Sequence, residues 1–177
     1  MSETRHILFA LPYPVPNFKI KMKQYRLAVD ENGSPFVLNS RGSIDFGYIT
    51  EEMNLPPAPI RIAEGNDRYG LTHIDKRHSD QLKINGFDSA LEFVEYVASN
   101  FERIKQGIGD TFLLEVESHH NDTLFVKLCI EKGYWKVISG GVFSLRYSKK
   151  KKEIYSGSDN RPLQPAPDSE GLGLSKM

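Results

Sequence analysis

The sequence predicts an α+β fold in which helices are followed by a four-stranded antiparallel sheet, with a small N-terminal β appendage. Three observations predict it. A capped amphipathic stretch begins at Ser89; four strand-length runs separated by polar or glycine-bearing turns follow it; and a proline-dense connector near residue 56 sets both apart from a short alternating region.

In chain order, residues 18 to 38 alternate in FKIKMK and turn in DENGSP, which predicts a β-hairpin. NLPPAPIRIAEG then reads as a connector entering a short strand, PIRIAE, because prolines at this density exclude helix and central strand. The chain accordingly divides into an N-terminal β-rich appendage (residues 1–56), a principal domain (57–156) and a tail (157–177). The tail's Ser, Pro, Gly and Asp leave little to bury, and disorder is expected there.

Ser89 and Glu92 have capping-box spacing. Ala90, Val94, Val97, Phe101 and Ile104 recur at three and four before Gly107, so a helix is expected over 89–106. DTFLLEVES, TLFVKLCIE, YWKVIS and KKEIYSG are the four strand runs. A two-residue hairpin turn at Lys132 and Gly133 would pair Glu131 with Tyr134, Cys129 with Lys136 and Lys127 with Ile138. It would likewise pair Ile130, Leu128 and Val126 with Trp135, Val137 and Ser139. The apolar face then takes the helix and buries Trp135, Val137 and Leu128, leaving Lys127, Tyr134 and Lys136 on the polar face as a candidate active surface. His119 and His120 fall in the turn SHHND as exposed loop residues.

Composition narrows the function classes. Twenty-three basic and 23 acidic side chains cancel, which argues against broad attraction to polyanions and confines any phosphate site to local basic clusters such as SKKKKE. No apolar run approaches the roughly 20 residues that cross a bilayer, and the opening MSETRHILFALPYPVP lacks the pattern of a secretory signal. With the single cysteine, Cys129, these features fit a cytoplasmic protein without disulfides.

YGLTHIDKRHSD concentrates two of the five histidines beside Arg77. Zinc is not expected: helical ligands sit at i and i+4, whereas His73 and His78 are five apart and point about 140° away from each other. No cofactor motif, nucleophile elbow or phosphate loop is present. What remains is acid–base chemistry on a phosphodiester, with histidines titrating near neutrality and cations stabilising the charge that builds on phosphorus.

GLTHIDKRH, with DFGYIT and PIRIAEG before it and a helix and four strands after it, resembles the phage nuclease branch of the barnase–EndoU–colicin–RelE superfamily over residues 44–156. Members carry a GLxHIxxRH-like motif. The resemblance implies a metal-independent, cofactor-free endoribonuclease of the toxin type, with RNA as substrate and a cognate immunity protein as a partner. His73 and His78 match the motif histidines, Arg77 its arginine, and a late-strand hydroxyl falls at Ser139 or Ser144. This chain departs from the family where VISGGVFS inserts a glycine pair into a VxT-aromatic pattern; a β-bulge at Gly140 and Gly141 would re-aim Ser139 toward the polar face.

In the expected mechanism one histidine is general base for the 2′-hydroxyl, and the other, or a water, is general acid. Arg77 and Lys136 stabilise the phosphorane, while Lys127, Tyr134 and Arg146 bind substrate. The rival expectations are an inactive member of the same fold serving as a binding or phage structural module, and an immunity or antitoxin protein.

Overall fold

Residues 23–157 are described by a computed structural model; the FKIKMK alternation up to residue 22, the opening MSETRHILFALPYPVP and the tail from residue 158 lie outside the described residues. In chain order the elements are β1 (Leu27–Val29), β2 (Pro35–Val37), β3 (Gly47–Ile49), β4 (Ala58–Arg61), α1 (Gly70–Ile84) and α2 (Ala90–Asn100). They are followed by β5 (Arg103–Gln106), β6 (Thr111–Glu117), β7 (Asn121–Cys129), β8 (Tyr134–Phe143) and β9 (Glu153–Ser156). β1 and β2 form the hairpin of a two-stranded sheet. The other strands make one seven-stranded sheet in the order β3-β4-β8-β7-β6-β5-β9.

This corrects the expected helices followed by a four-stranded antiparallel sheet with a small β appendage. The four strand runs become β6 to β9, but β3, β4 and β5 join the same sheet, and β4 lies parallel to β8 through Ile60↔Trp135 and Arg61↔Lys136. Strands on both sides of the helices in sequence therefore share one sheet, which is mixed.

The helix expected over 89–106 is shorter. Ser89 caps it as the spacing predicts, its hydroxyl accepting from the Glu92 amide, but α2 ends at Asn100 and RIKQ extends as β5 against β6. Ile104 is buried in the strand as it would have been in the helix, so the 3.6-residue pattern continued through a change of element. The buried face of α2, Phe93, Val94, Val97 and Ala98, packs with Leu114, Leu124, Val126, Trp135 and Val137 of the sheet. Trp135 is core, as expected, and its indole N–H donates to the Pro56 carbonyl (3.0 Å).

The β7–β8 hairpin turns through a single 3-10 turn at Ile130–Lys132, with Gly133 at φ 69°, rather than through two residues. The register becomes Cys129↔Tyr134, Leu128↔Trp135 and Lys127↔Lys136. This is a displacement by two residues, so the side chains from Tyr134 to Val137 keep their expected faces, while beyond a register shift at Ile138 they do not. Tyr134 nevertheless leaves the polar surface: it is buried edge-on against Phe36, and the Arg61 guanidinium lies 5.8 Å from its ring centroid. Arg61 also pairs with Asp45 (2.6 Å) and Asp30 (3.6 Å), tying the small sheet onto the end of β4.

Gly47 marks the closest approach of β3 to α2. A Cβ there would lie 2.0 Å from the Ala98 carbonyl oxygen, a backbone atom that no rotamer change can move. Gly47→Ala is expected to destabilise the fold by about 3 kcal/mol, the upper end of overpacking costs. Urea unfolding measures this, and an unchanged midpoint would separate β3 from α2.

Candidate functional site

The GLTHIDKRH stretch is α1 from its first residue, and its glycine is required by the backbone. Gly70 sits at φ 83°, where a Cβ would lie 2.7 Å from the Ala63 carbonyl oxygen. The tight approach lets the Ala63 and Glu64 carbonyls accept from the Leu71 and Thr72 amides, capping a helix whose N-cap residue, Tyr69, supplies no side-chain cap.

The same loop fixes the first histidine. His73 Nδ1 lies 2.7 Å from the Asp67 carbonyl oxygen, which can only accept, so Nδ1 carries a proton and Nε2 is the ring nitrogen left without this contact. Asp67 in turn pairs through its carboxylate with Lys76. Tyr69, two residues on, carries the Lys136 ammonium 3.9 Å above its ring centroid, which brings β8 to the loop that holds His73.

The second histidine, half-buried, falls in register with the buried stripe of α1. Leu71, Ile74 and Leu82 are buried, and His78 falls four residues from each of the last two. The expected divergence of about 140° describes the Cα directions, yet the two imidazoles approach to 6.3 Å between centroids at 73°. His78 fits because the sheet beside it lacks a side chain: a Cβ on Gly141 would lie 3.2 Å from His78 Nδ1. Burial pushes the His78 pKa below the ordinary imidazole value of 6.5; the positive charge of His73 and Arg77 adds to this, and a hydrogen bond with Gln81 works the other way.

Gln81 fixes α1 against β8. β4 pairs with β8 only at Trp135 and Lys136, and farther along that edge the Gln81 amide donates to the Val142 carbonyl (2.7 Å) and accepts from the Val142 N–H (3.3 Å). The β8 register also shifts, placing Phe125 opposite Ser139 and Val126 opposite Val137, so that Ile138 is the extra residue. The bulge thus precedes the glycine pair instead of coinciding with it. Ser139 shares a strand face with Gly141, the residue His78 lies against.

The remaining sequence-selected residues are dispersed. Arg77 is exposed, one residue before His78. Lys127 is exposed opposite Lys136 and pairs with Asp110, Arg146 is exposed in the segment after β8, and Ser144 opens that segment as an exposed residue. Tyr134 is not available to substrate; burial pushes its hydroxyl up to about 12. His119 is exposed, whereas His120 is half-buried and meets the buried Asp122 carboxylate at 3.2 Å.

Sequence reasoning missed Gln81 and Gly141. The signal for Gly141 was present, because the glycine pair that departs from the family pattern is the gap that admits His78. Among the described residues, no group of three or more His, Cys, Asp or Glu side chains is placed to hold a metal ion, and no helix is long and apolar enough to cross a membrane. No protein-family model and no curated protein matches the chain.

Because folding favours the neutral imidazole at position 78, His78 contributes no penalty above its unfolded value. Stability is expected to fall as the pH drops below 6.5 toward the lower folded-state pKa. NMR titration should place the His78 midpoint below 6.5, and lower still in Gln81→Leu. A midpoint at or above 6.5 would contradict the burial of this ring.

Proposed function

We propose that the chain is a metal-independent endoribonuclease of the toxin type, cleaving RNA by attack of the 2′-hydroxyl on the adjacent phosphodiester. The observation that carries this reading is the histidine pair: two imidazoles 6.3 Å apart on one helix, one oriented by a backbone carbonyl and the other held toward its neutral form by burial. The similarity of GLTHIDKRH to the GLxHIxxRH-like nuclease motif points the same way.

His78, neutral at pH 7, accepts the 2′-hydroxyl proton. The attacking oxygen forms a bond to phosphorus, the 5′-oxygen departs, and protonated His73 delivers a proton to it from Nε2. Exposed Arg77, with Lys136 at the helix start, offsets the charge that develops on the phosphoryl oxygens. DNA lacks the attacking hydroxyl and is not cleaved by this route.

A second reading has its own support. His78 lies in the apolar stripe of α1, a position that also suits a purely structural histidine, and it favours an inactive binding module of the same family.

His73→Ala and His78→Asn are each expected to lower cleavage of total RNA by about 10²–10⁴-fold with the fold retained by circular dichroism. Asn is chosen at position 78 because Ala would leave a cavity. Cleavage should persist in excess chelator and vanish on a 2′-deoxy substrate. Activity restored only by added divalent metal would end the acid–base assignment, and a wild-type chain that never cleaves RNA would leave the binding-module reading.

A further inference from the structure

β8 and β9 are consecutive in sequence but stand far apart in the sheet, so residues 144–152 must cross the face of β7, β6 and β5 to reach the far edge. This strap is SLRYSKKKK, and Ser148 pins it at its middle. The buried Ser148 accepts at its carbonyl and hydroxyl from Lys105 Nζ (3.2 and 3.3 Å), and its hydroxyl also accepts from Asn121 Nδ2 (3.1 Å). Successive turns, Tyr147 N–H to Ser144, Lys149 N–H to Arg146 and Lys151 N–H to Ser148, give the strap a defined shape.

That shape sorts its side chains. Tyr147 stacks on Phe143 at 4.5 Å and 23°, with Phe125 edge-on to both, yet the residue remains 44% exposed. Arg146, Lys149, Lys150 and Lys152 point to solvent, and Lys151 lies 5.4 Å from the Tyr147 ring centroid. None of these five cations has a carboxylate partner among the described residues. In a chain whose charges cancel overall, the strap is a local excess of five positive groups around one braced, half-exposed aromatic ring.

We propose that the strap is a sequence-tolerant binding surface for single-stranded RNA. A base stacks on Tyr147, and the adjoining phosphates are neutralised by Arg146 and the four lysines. Stacking needs a flat ring held rigidly, which Phe143 and Phe125 provide. Phosphate binding needs cations without a carboxylate partner, and among the described residues the strap's five have none. When a base takes the tyrosine face, the Lys151 ammonium is released toward the backbone. This deepens the ribonuclease reading by assigning the grip on the strand to the strap and the chemistry to α1.

The test uses fluorescence anisotropy with a labelled 2′-deoxy oligonucleotide, which the proposed mechanism cannot cleave, so that binding and catalysis are scored separately. Wild type and His73→Ala should bind it equally. Tyr147→Ala should weaken binding by about five- to a hundredfold, and Tyr147→Trp should retain it. Lys149→Gln, Lys150→Gln and Lys152→Gln together should reduce the dependence of log affinity on log salt by about 2, from roughly 0.7 per phosphate contact.

Binding without any cleavage of RNA would uphold the strap and overturn the nuclease. Histidine-dependent cleavage with affinity unchanged in Tyr147→Ala and in the triple Gln variant would do the reverse. Equal weakness of the Ala and Trp variants, or binding to anionic lipid vesicles with none to the oligonucleotide, would overturn the strap proposal.

Discussion

The backbone polar groups on the outer edge of β8 must be satisfied, and the rest of the structure depends on how this is done. β4 reaches only Trp135 and Lys136, and past that point a central strand would present bare N–H and C=O groups to the interior of the fold, at a cost of about 1–3 kcal/mol for each left unpaired. The Gln81 amide stands in for a strand at Val142, accepting and donating as a neighbouring peptide would. This fixes the axial position and rotation of α1 together. With both fixed, His78 falls beside Gly141, and the start of the helix falls where Lys136 can stack on Tyr69.

The parts of this arrangement legible in the sequence are those encoded locally. Ser89 and Glu92 announced the start of α2, and the alternation in DTFLLEVES and YWKVIS announced β6 and β8, because caps and pleats act over a few residues. What was not legible depends on partners distant in sequence. The parallel β4–β8 pairing leaves no local mark. β5 was hidden because Phe101 and Ile104 continue the helical spacing of α2 while the chain has already become extended. In the candidate site the residue types of GLTHIDKRH were readable, but the inward turn of His78 was not. It follows from an absent side chain on another element, and an absent side chain reads as a departure until the two elements are seen together.

The two ends of the polar side of the sheet are organised by different physics. Near α1 the burial of an imidazole favours its neutral form. Under the strap, Lys105 and Glu115 are buried together at 3.7 Å, and the Glu115 carboxylate accepts no hydrogen bond among the described residues. Coulomb attraction in a region of low dielectric holds that pair, and because it repays the desolvation of both ions only in part, it is weak evidence for stability. Its structural effect is orientation: the ammonium that neutralises Glu115 is the one that donates to Ser148, so the strap is anchored above β5 and β6.

The parallel seam between β4 and β8 also bears on how the molecule is made. Ile60 and Trp135 are neighbours in space but lie on opposite sides of both helices in sequence, and the Trp135 indole closes the same seam on Pro56. During synthesis β3, β4 and the helices leave the ribosome with no edge to dock on, since the strand that receives them is not yet translated. Pairing across so long a stretch of chain is entropically late, and folds dominated by such contacts assemble slowly. The sheet-facing residues of α1 and α2 therefore wait for β6, β7 and β8 to be made, an interval in which a nascent chain is open to chaperones and to aggregation alike.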